Sequence, residues 1–149
     1  MQTWIALRLP REAASVAVIR HILDAALRTL GVVPAVRDDI QVILSEACSN
    51  VVRHAVRCPA YTVRAAVTHD RCLIQVTDEG EGFRVDGATP PPATAEYGRG
   101  LQITRALADH VHVTSAEHGS KVSVEKVLRF ADDAPVHALE CPLAAHSPV

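Results

Sequence analysis

Glu46-Ala47-Cys48-Ser49-Asn50-Val51-Val52-Arg53-His54 sets a polar row into the flank of an aliphatic helix. Residues four apart on an α-helix are rotated by about 40° and raised by about 6 Å, so Glu46, Asn50 and His54 stand one above the other. Beside them runs an apolar stripe of Ile40, Ile43, Leu44, Ala47 and Val51, which predicts a core-facing helix from near Pro34 to about Val56. A row next to the stripe, not opposite it, can look into a cleft between helix and sheet. There a carboxylate can orient or deprotonate an attacking hydroxyl. An amide oxygen is a hard ligand suited to Mg²⁺. Taken alone, the row equally fits a solvated helix boundary.

Outward from this helix the pattern is regular. Gln2 to Leu9 alternates, with Ile5, Leu7 and Leu9 on one face, and Pro10 ends the strand. Arg11 to Leu30 places Val16, Ile19, Leu23, Ala26, Leu27 and Leu30 at helical spacing, and Gly31 stops it. Its exposed face carries Arg20, Asp24 and Arg28. Downstream, Thr62 to Thr68 and Cys72 to Val76 alternate around the polar turn His69-Asp70-Arg71 and read as a hairpin. Glu79 to Tyr97, with Pro90-Pro91-Pro92, reads as a long functional loop. A short helix, Leu101 to Ala108, and two strands, Val111 to Ser115 and Val122 to Phe130, close the pattern around the turn His118-Gly119. The order predicts an α+β fold: a two-layer sandwich of a mixed, largely antiparallel sheet with helices on one face. One domain is expected over residues 1–130, followed by a mobile tail at 131–149.

Composition narrows the class. The chain has 149 residues, 48% hydrophobic but only 3% aromatic, so its core must be built from Val, Leu, Ile and Ala. A net charge of −2 provides no basic field for direct nucleic-acid binding. Cys48, Cys58, Cys72 and Cys141 lack zinc or disulfide spacing and read as free thiols of a reducing cytosol. With no signal core and no long apolar run, a soluble cytoplasmic protein without membrane contact is expected.

Two glycine segments complete a possible site. Asp78-Glu79-Gly80-Glu81-Gly82-Phe83 follows the hairpin's second strand. A carboxylate at a strand end can accept the hydrogen bond of adenine's exocyclic amine, and glycines let backbone approach a flat ring. A turn of solvated acids is the plain alternative. Gly98-Arg99-Gly100-Leu101 is expected to open a helix, whose free N–H groups suit phosphate oxygens. Neither the P-loop nor the dinucleotide fingerprint is present. Each segment is weak alone, but their chain order can surround one nucleotide.

In combination the segments resemble the Bergerat-fold, or GHKL, ATPases, a family that includes gyrase, histidine kinases and MutL. The similarity is to the stand-alone anti-sigma factors with serine-kinase activity, of the RsbW and SpoIIAB type, and it covers about Gln2 to Phe130. The stretch from Glu46 to His54 matches the N-box, Asp78 to Phe83 the first glycine box and Gly98 to Leu101 the second. By that resemblance Glu46 is the catalytic base, Asn50 the Mg²⁺ ligand and Asp78 the adenine acceptor. Gly80, Gly82, Gly98 and Gly100 shape the ATP pocket, with Arg99 and Leu101 in the second box, and Glu79 to Tyr97 forms the lid. His54 holds the lid or helix by hydrogen bonding. The late Gly-Thr-Thr motif of the family stands here as Gly119-Ser120-Lys121, where Ser120 keeps a hydroxyl and Lys121 either reaches a phosphate or stays solvated.

The chain's length is expected to exclude gyrase-like and chaperone-like machines, and the lack of a phosphoacceptor helix a histidine kinase. The resemblance then implies Mg-ATP-dependent phosphorylation of a STAS-fold anti-anti-sigma factor and sequestration of a sigma factor, by a protein that forms a homodimer. An ATP-dependent partner switch without phosphotransfer is the alternative. Arg20, on the first helix, is either a partner contact or a solvated arginine.

Overall fold

Alternation in the hairpin strands puts Val63, Ala65 and Val67 beside Cys72, Ile74 and Val76 on one face, and all are buried. That face is the floor of the core. The computed structural model describes residues 1–54, 58–78, 95–116 and 119–139, with the side chains of 95–99 and 115–116 outside the description. Within them the elements are β1 (Gln2–Pro10), α1 (Ala13–Leu30), α2 (Pro34–His54), β2 (Ala60–Thr68), β3 (Arg71–Asp78), α3 (Ala95–Leu107), β4 (His110–Ala116), β5 (Gly119–Val127) and α4 (Val136–Leu139).

The five strands order as β1-β2-β3-β5-β4, and every pairing in this sheet is antiparallel. A row such as Leu7, Val63, Val76, Val122 and Val113 crosses the sheet on the helix-covered side. Onto it α1 lays Ile19, Leu23 and Leu27, and α2 lays Val36, Ile40, Leu44, Cys48 and Val51. Burying each large aliphatic side chain contributes about 1.5–3 kcal/mol, so packing of this stripe, more than local propensity, fixes how α2 lies on the sheet.

α1 ends in a Schellman turn. Gly31 takes the left-handed φ of 89°, its N–H reaches the Arg28 carbonyl and that of Val32 the Leu27 carbonyl. At the far side Lys126 of β5 pairs with Asp39 of α2 at 3.0 Å and donates to the Leu107 carbonyl at the end of α3. One ammonium thus holds two helices and a strand in register.

Three boundaries differ from expectation. α3 begins at Ala95, ahead of Leu101, so Gly98 to Leu101 lie inside the helix and the last residues of the expected loop belong to it. β5 spans Gly119–Val127, and Phe130, expected in that strand, instead bridges to Val32. Residues 131–139, expected in the tail, pack: Ala134 and Val136 are 5% and 1% exposed, and the Ala131 N–H bonds the Gly31 carbonyl at 2.9 Å.

Candidate functional site

Glu46 and Asn50 are half-buried on α2, where α3 crosses it at Gly100. A Cβ at Gly100 would stand 2.9 Å from Glu46 Oε2 and 3.6 Å from both polar atoms of the Asn50 amide. The missing side chain is therefore what lets α3 descend onto the carboxylate and the amide. Thr104, one turn on, is buried and donates to the Gly100 carbonyl at 2.9 Å. Two motifs more than forty residues apart in the chain, the N-box and the second glycine box, meet here.

The second centre is Asp78, at the end of β3 and 5% exposed. The Ser120 hydroxyl donates to its Oδ2 at 2.5 Å, and the Ser120 N–H donates to Oδ1 at 3.1 Å. Each carboxylate oxygen accepts more than one hydrogen bond, so Asp78 is held by β5 and still able to accept another donor. Ser120 and Lys121 are consecutive on a strand, and consecutive side chains point to opposite faces. Lys121 is exposed, opposite Thr77 and Thr114, on the sheet face away from Asp78.

The other expected residues are placed as follows. His54 is half-buried and closes α2, a turn beyond Asn50. Gly98 and Arg99 lie in the early turns of α3, and Leu101 is half-buried there. Because the helix starts at Ala95, the N–H of Gly100 falls beyond the four free donors of the first turn. Gly80, Gly82 and most of the expected lid lie outside the described residues. Arg20 donates through Nε to Gln41 Oε1 at 3.3 Å, and Gln41 Nε2 returns a bond to the Arg20 carbonyl at 3.2 Å, linking α1 to α2.

The sequence did not single out Tyr61. It is fully buried on β2 and pairs with Asp78 of β3. Its hydroxyl lies 2.6 Å from Ser15 Oγ of α1. Burial pushes both the Tyr61 phenol and the Cys48 thiol up to about 12. A signal existed: few aromatic residues occur in this chain, and this one begins a strand. Cys48, Cys58 and Cys72 are buried thiols. Among the described residues no helix is long and apolar enough to cross a membrane.

The donors suit a nucleotide with a hard cation. Glu46 and Asn50 offer oxygen ligands side by side, and the cradle left by Gly100 keeps them clear of a third side chain. Mg²⁺ takes few protein ligands and leaves its other positions to water and phosphate.

Residues 9–126 match the family described as the histidine kinase-like ATPase domain. The serine-protein kinase RsbW of Bacillus licheniformis is 32% identical over 139 residues, covering 84% of this chain and 86% of that protein. Among solved structures, the RsbU and RsbW domains of a Mycobacterium tuberculosis protein align with a TM-score of 0.68 at 19% identity, over 87% of this chain and 34% of that longer one. The SiaB–SiaC complex of Pseudomonas aeruginosa aligns with a TM-score of 0.61 at 15% identity, over 83% of this chain and 88% of that one. At such identities the solved structures show the fold, whereas the sequence matches show descent. The chain belongs to the histidine kinase-like ATPase domain family, among the RsbW-type serine-protein kinases.

Proposed function

We propose that this chain transfers the γ-phosphoryl group of Mg-ATP to a serine or threonine hydroxyl on a small STAS-fold anti-anti-sigma partner. The same chain holds a sigma factor inactive, and the unphosphorylated partner displaces that sigma factor. The observation that carries the reading is the approach of Gly100 to Glu46 and Asn50. It sets a carboxylate and a hard oxygen donor beside a glycine helix, in a chain whose relatives are serine-protein kinases.

Glu46 orients the acceptor hydroxyl and takes its proton as the oxygen attacks phosphorus and the bond to the β-phosphate oxygen breaks. Asn50 offers its amide oxygen to Mg²⁺, which when bound offsets the charge of the phosphates. Asp78 accepts from the adenine amine, with Ser120 fixing its carboxylate. Gly80, Gly82, Gly98 and Gly100 leave room for the nucleotide, with Arg99, Leu101 and His54 at its border. The protein works in the cytoplasm, as a homodimer.

Incubation with labelled ATP, Mg²⁺ and candidate STAS partners tests this. Label is expected on a partner serine or threonine, and it disappears in Glu46→Gln while ATP binding survives. ATP binding without transfer to any candidate favours an ATP-dependent binding module, and label on histidine rejects both readings.

A further inference from the structure

Val122, Val124 and Lys126 share the helix-covered face of β5, paired with Val76, Ile74 and Cys72 of β3. A lysine is out of place there. Its side chain is only 15% exposed, and burying an ammonium is costly unless it meets acceptors. Lys126 meets them on two helices. Its Nζ donates to the Leu107 carbonyl at the end of α3 and pairs with Asp39 Oδ2 of α2 at 3.0 Å.

Both ends of this bridge stand in line with the site. On α2, Asp39, Glu46 and Asn50 fall within about 40° of one another around the helix axis, so they form one line along it. On α3, Leu107 lies two turns, about 10 Å, beyond Gly100, and Gly100 comes down on Glu46 and Asn50. α3 therefore meets this line of α2 at two places: directly at Gly100, and through Lys126 at Leu107. The neighbours of Lys126 hold the same helix end to β5. The Asp109 N–H donates to the Glu125 carbonyl at 2.9 Å, and the Val127 N–H donates to Asp109 Oδ2 at 2.7 Å. Of these contacts, only those of Lys126 extend to α2. A tilt of α3 by about 6° about that anchor shifts Gly100 by about 1 Å. A misplacement of that size at a reacting centre costs about a hundredfold.

We propose that Lys126 is a positioning residue of the nucleotide site: by tying the end of α3 to Asp39, it sets how closely Gly100 lies on Glu46 and Asn50. The proposal rests on the roles assigned above to Asn50 and the second glycine segment, and names what fixes their separation. Without the ammonium, α3 tilts away from α2 and the phosphate end of the site opens. The adenine end is built on Asp78 of β3 and Ser120 of β5, neither of which moves with α3.

The test is calorimetric titration with adenosine and with ADP plus Mg²⁺. The readout is the ratio of the two affinities, which is the advantage conferred by phosphates and metal. In Lys126→Met, which keeps the aliphatic stem, that advantage is expected to fall by about tenfold, while adenosine affinity changes by less than about twofold. Asp39→Asn lowers the advantage in the same direction, and decides the matter if Lys126→Met does not fold. In the Lys126→Met background Asp39→Asn costs less than about twofold more, because both act through one contact. Val124→Ala, a cavity on the same strand, lowers the melting temperature and leaves the advantage intact. An unchanged advantage in Lys126→Met or Asp39→Asn, or an equal loss in Val124→Ala, overturns the proposal alone. A wild-type protein that binds ADP with Mg²⁺ no better than adenosine overturns the roles of Asn50 and the glycine segment, and the proposal with them.

Discussion

Ser120 takes one carboxylate oxygen of Asp78 with its hydroxyl and the other with its main-chain N–H, at 2.5 and 3.1 Å. A single residue at the start of β5 therefore fixes both oxygens of a nearly buried acid at the end of β3. In the proposed function, that carboxylate then presents a defined edge to the adenine amine.

Ser120→Ala removes the charge-assisted bond and keeps the main-chain one. Such bonds contribute about 1.5–3 kcal/mol, so urea denaturation is expected to show a loss in that range, with weaker ADP binding in the same variant. Ser120→Thr keeps the hydroxyl and is expected to retain both properties. An alanine variant matching the wild type in stability and binding contradicts the role given to Ser120.

Gly100→Ala separates folding from function. The atom that its Cβ meets is the end of the flexible Glu46 side chain, 2.9 Å away, which can swing aside at little cost to the fold. Alanine also favours a helix interior over glycine by about 1 kcal/mol. The variant is expected to melt at or slightly above the wild-type temperature and to lose about tenfold or more in phosphotransfer through displacement of Glu46. A stable variant with full transfer refutes the assignment of Glu46.

Buried thiols make stability depend on alkaline pH. Burial raises the Cys48 and Cys72 thiols to about 12 each. In the unfolded chain a thiol loses its proton at about 8.5. The folded state then holds protons that the unfolded state has released. Stability is complete below about pH 8.5 and falls as pH rises towards 12, by about 1.4 kcal/mol per pH unit for each thiol. Urea midpoints at pH 7, 9 and 10.5 should trace this decline, and Cys72→Val should make it shallower.

Gly31→Ala tests the packing of residues 131–139. A Cβ there would lie 2.4 Å from the Ala134 Cβ, at a φ of 89°. The left-handed backbone costs an L-residue about 1–2 kcal/mol, and overpacking adds about 1–3 kcal/mol. Destabilisation of about 2–5 kcal/mol is expected by chemical denaturation, and truncation after Phe130 should relieve the steric part of it.

Much of the fold was legible because the elements carry strong periodic signals. The stripe from Ile40 to Val51 fixed α2, and the alternation on both sides of His69-Asp70-Arg71 fixed the β2–β3 hairpin, where the Thr68 hydroxyl bonds Asp70 at 2.7 Å. α3 was read too short because Gly98 and Gly100 have poor intrinsic helix propensity. Its early turns lie against α2, a tertiary contact that no local pattern records. Ala134 and Val136 show no periodicity, and their burial depends on the Gly31 turn, far away in sequence.

From the sequence alone came the family, the residues of the polar row on α2, and the pairing of a strand-end carboxylate with glycine segments. These are determined locally, by residue type and by the 3.6- and 2-residue periods that put side chains on one face. Only the tertiary structure decided that Gly100 closes on Glu46 and Asn50, that Ser120 and not Lys121 serves Asp78, and that Tyr61 meets Ser15. Each is a contact between elements distant in the chain. Its geometry follows from sheet register and helix packing, which are set by the whole core at once.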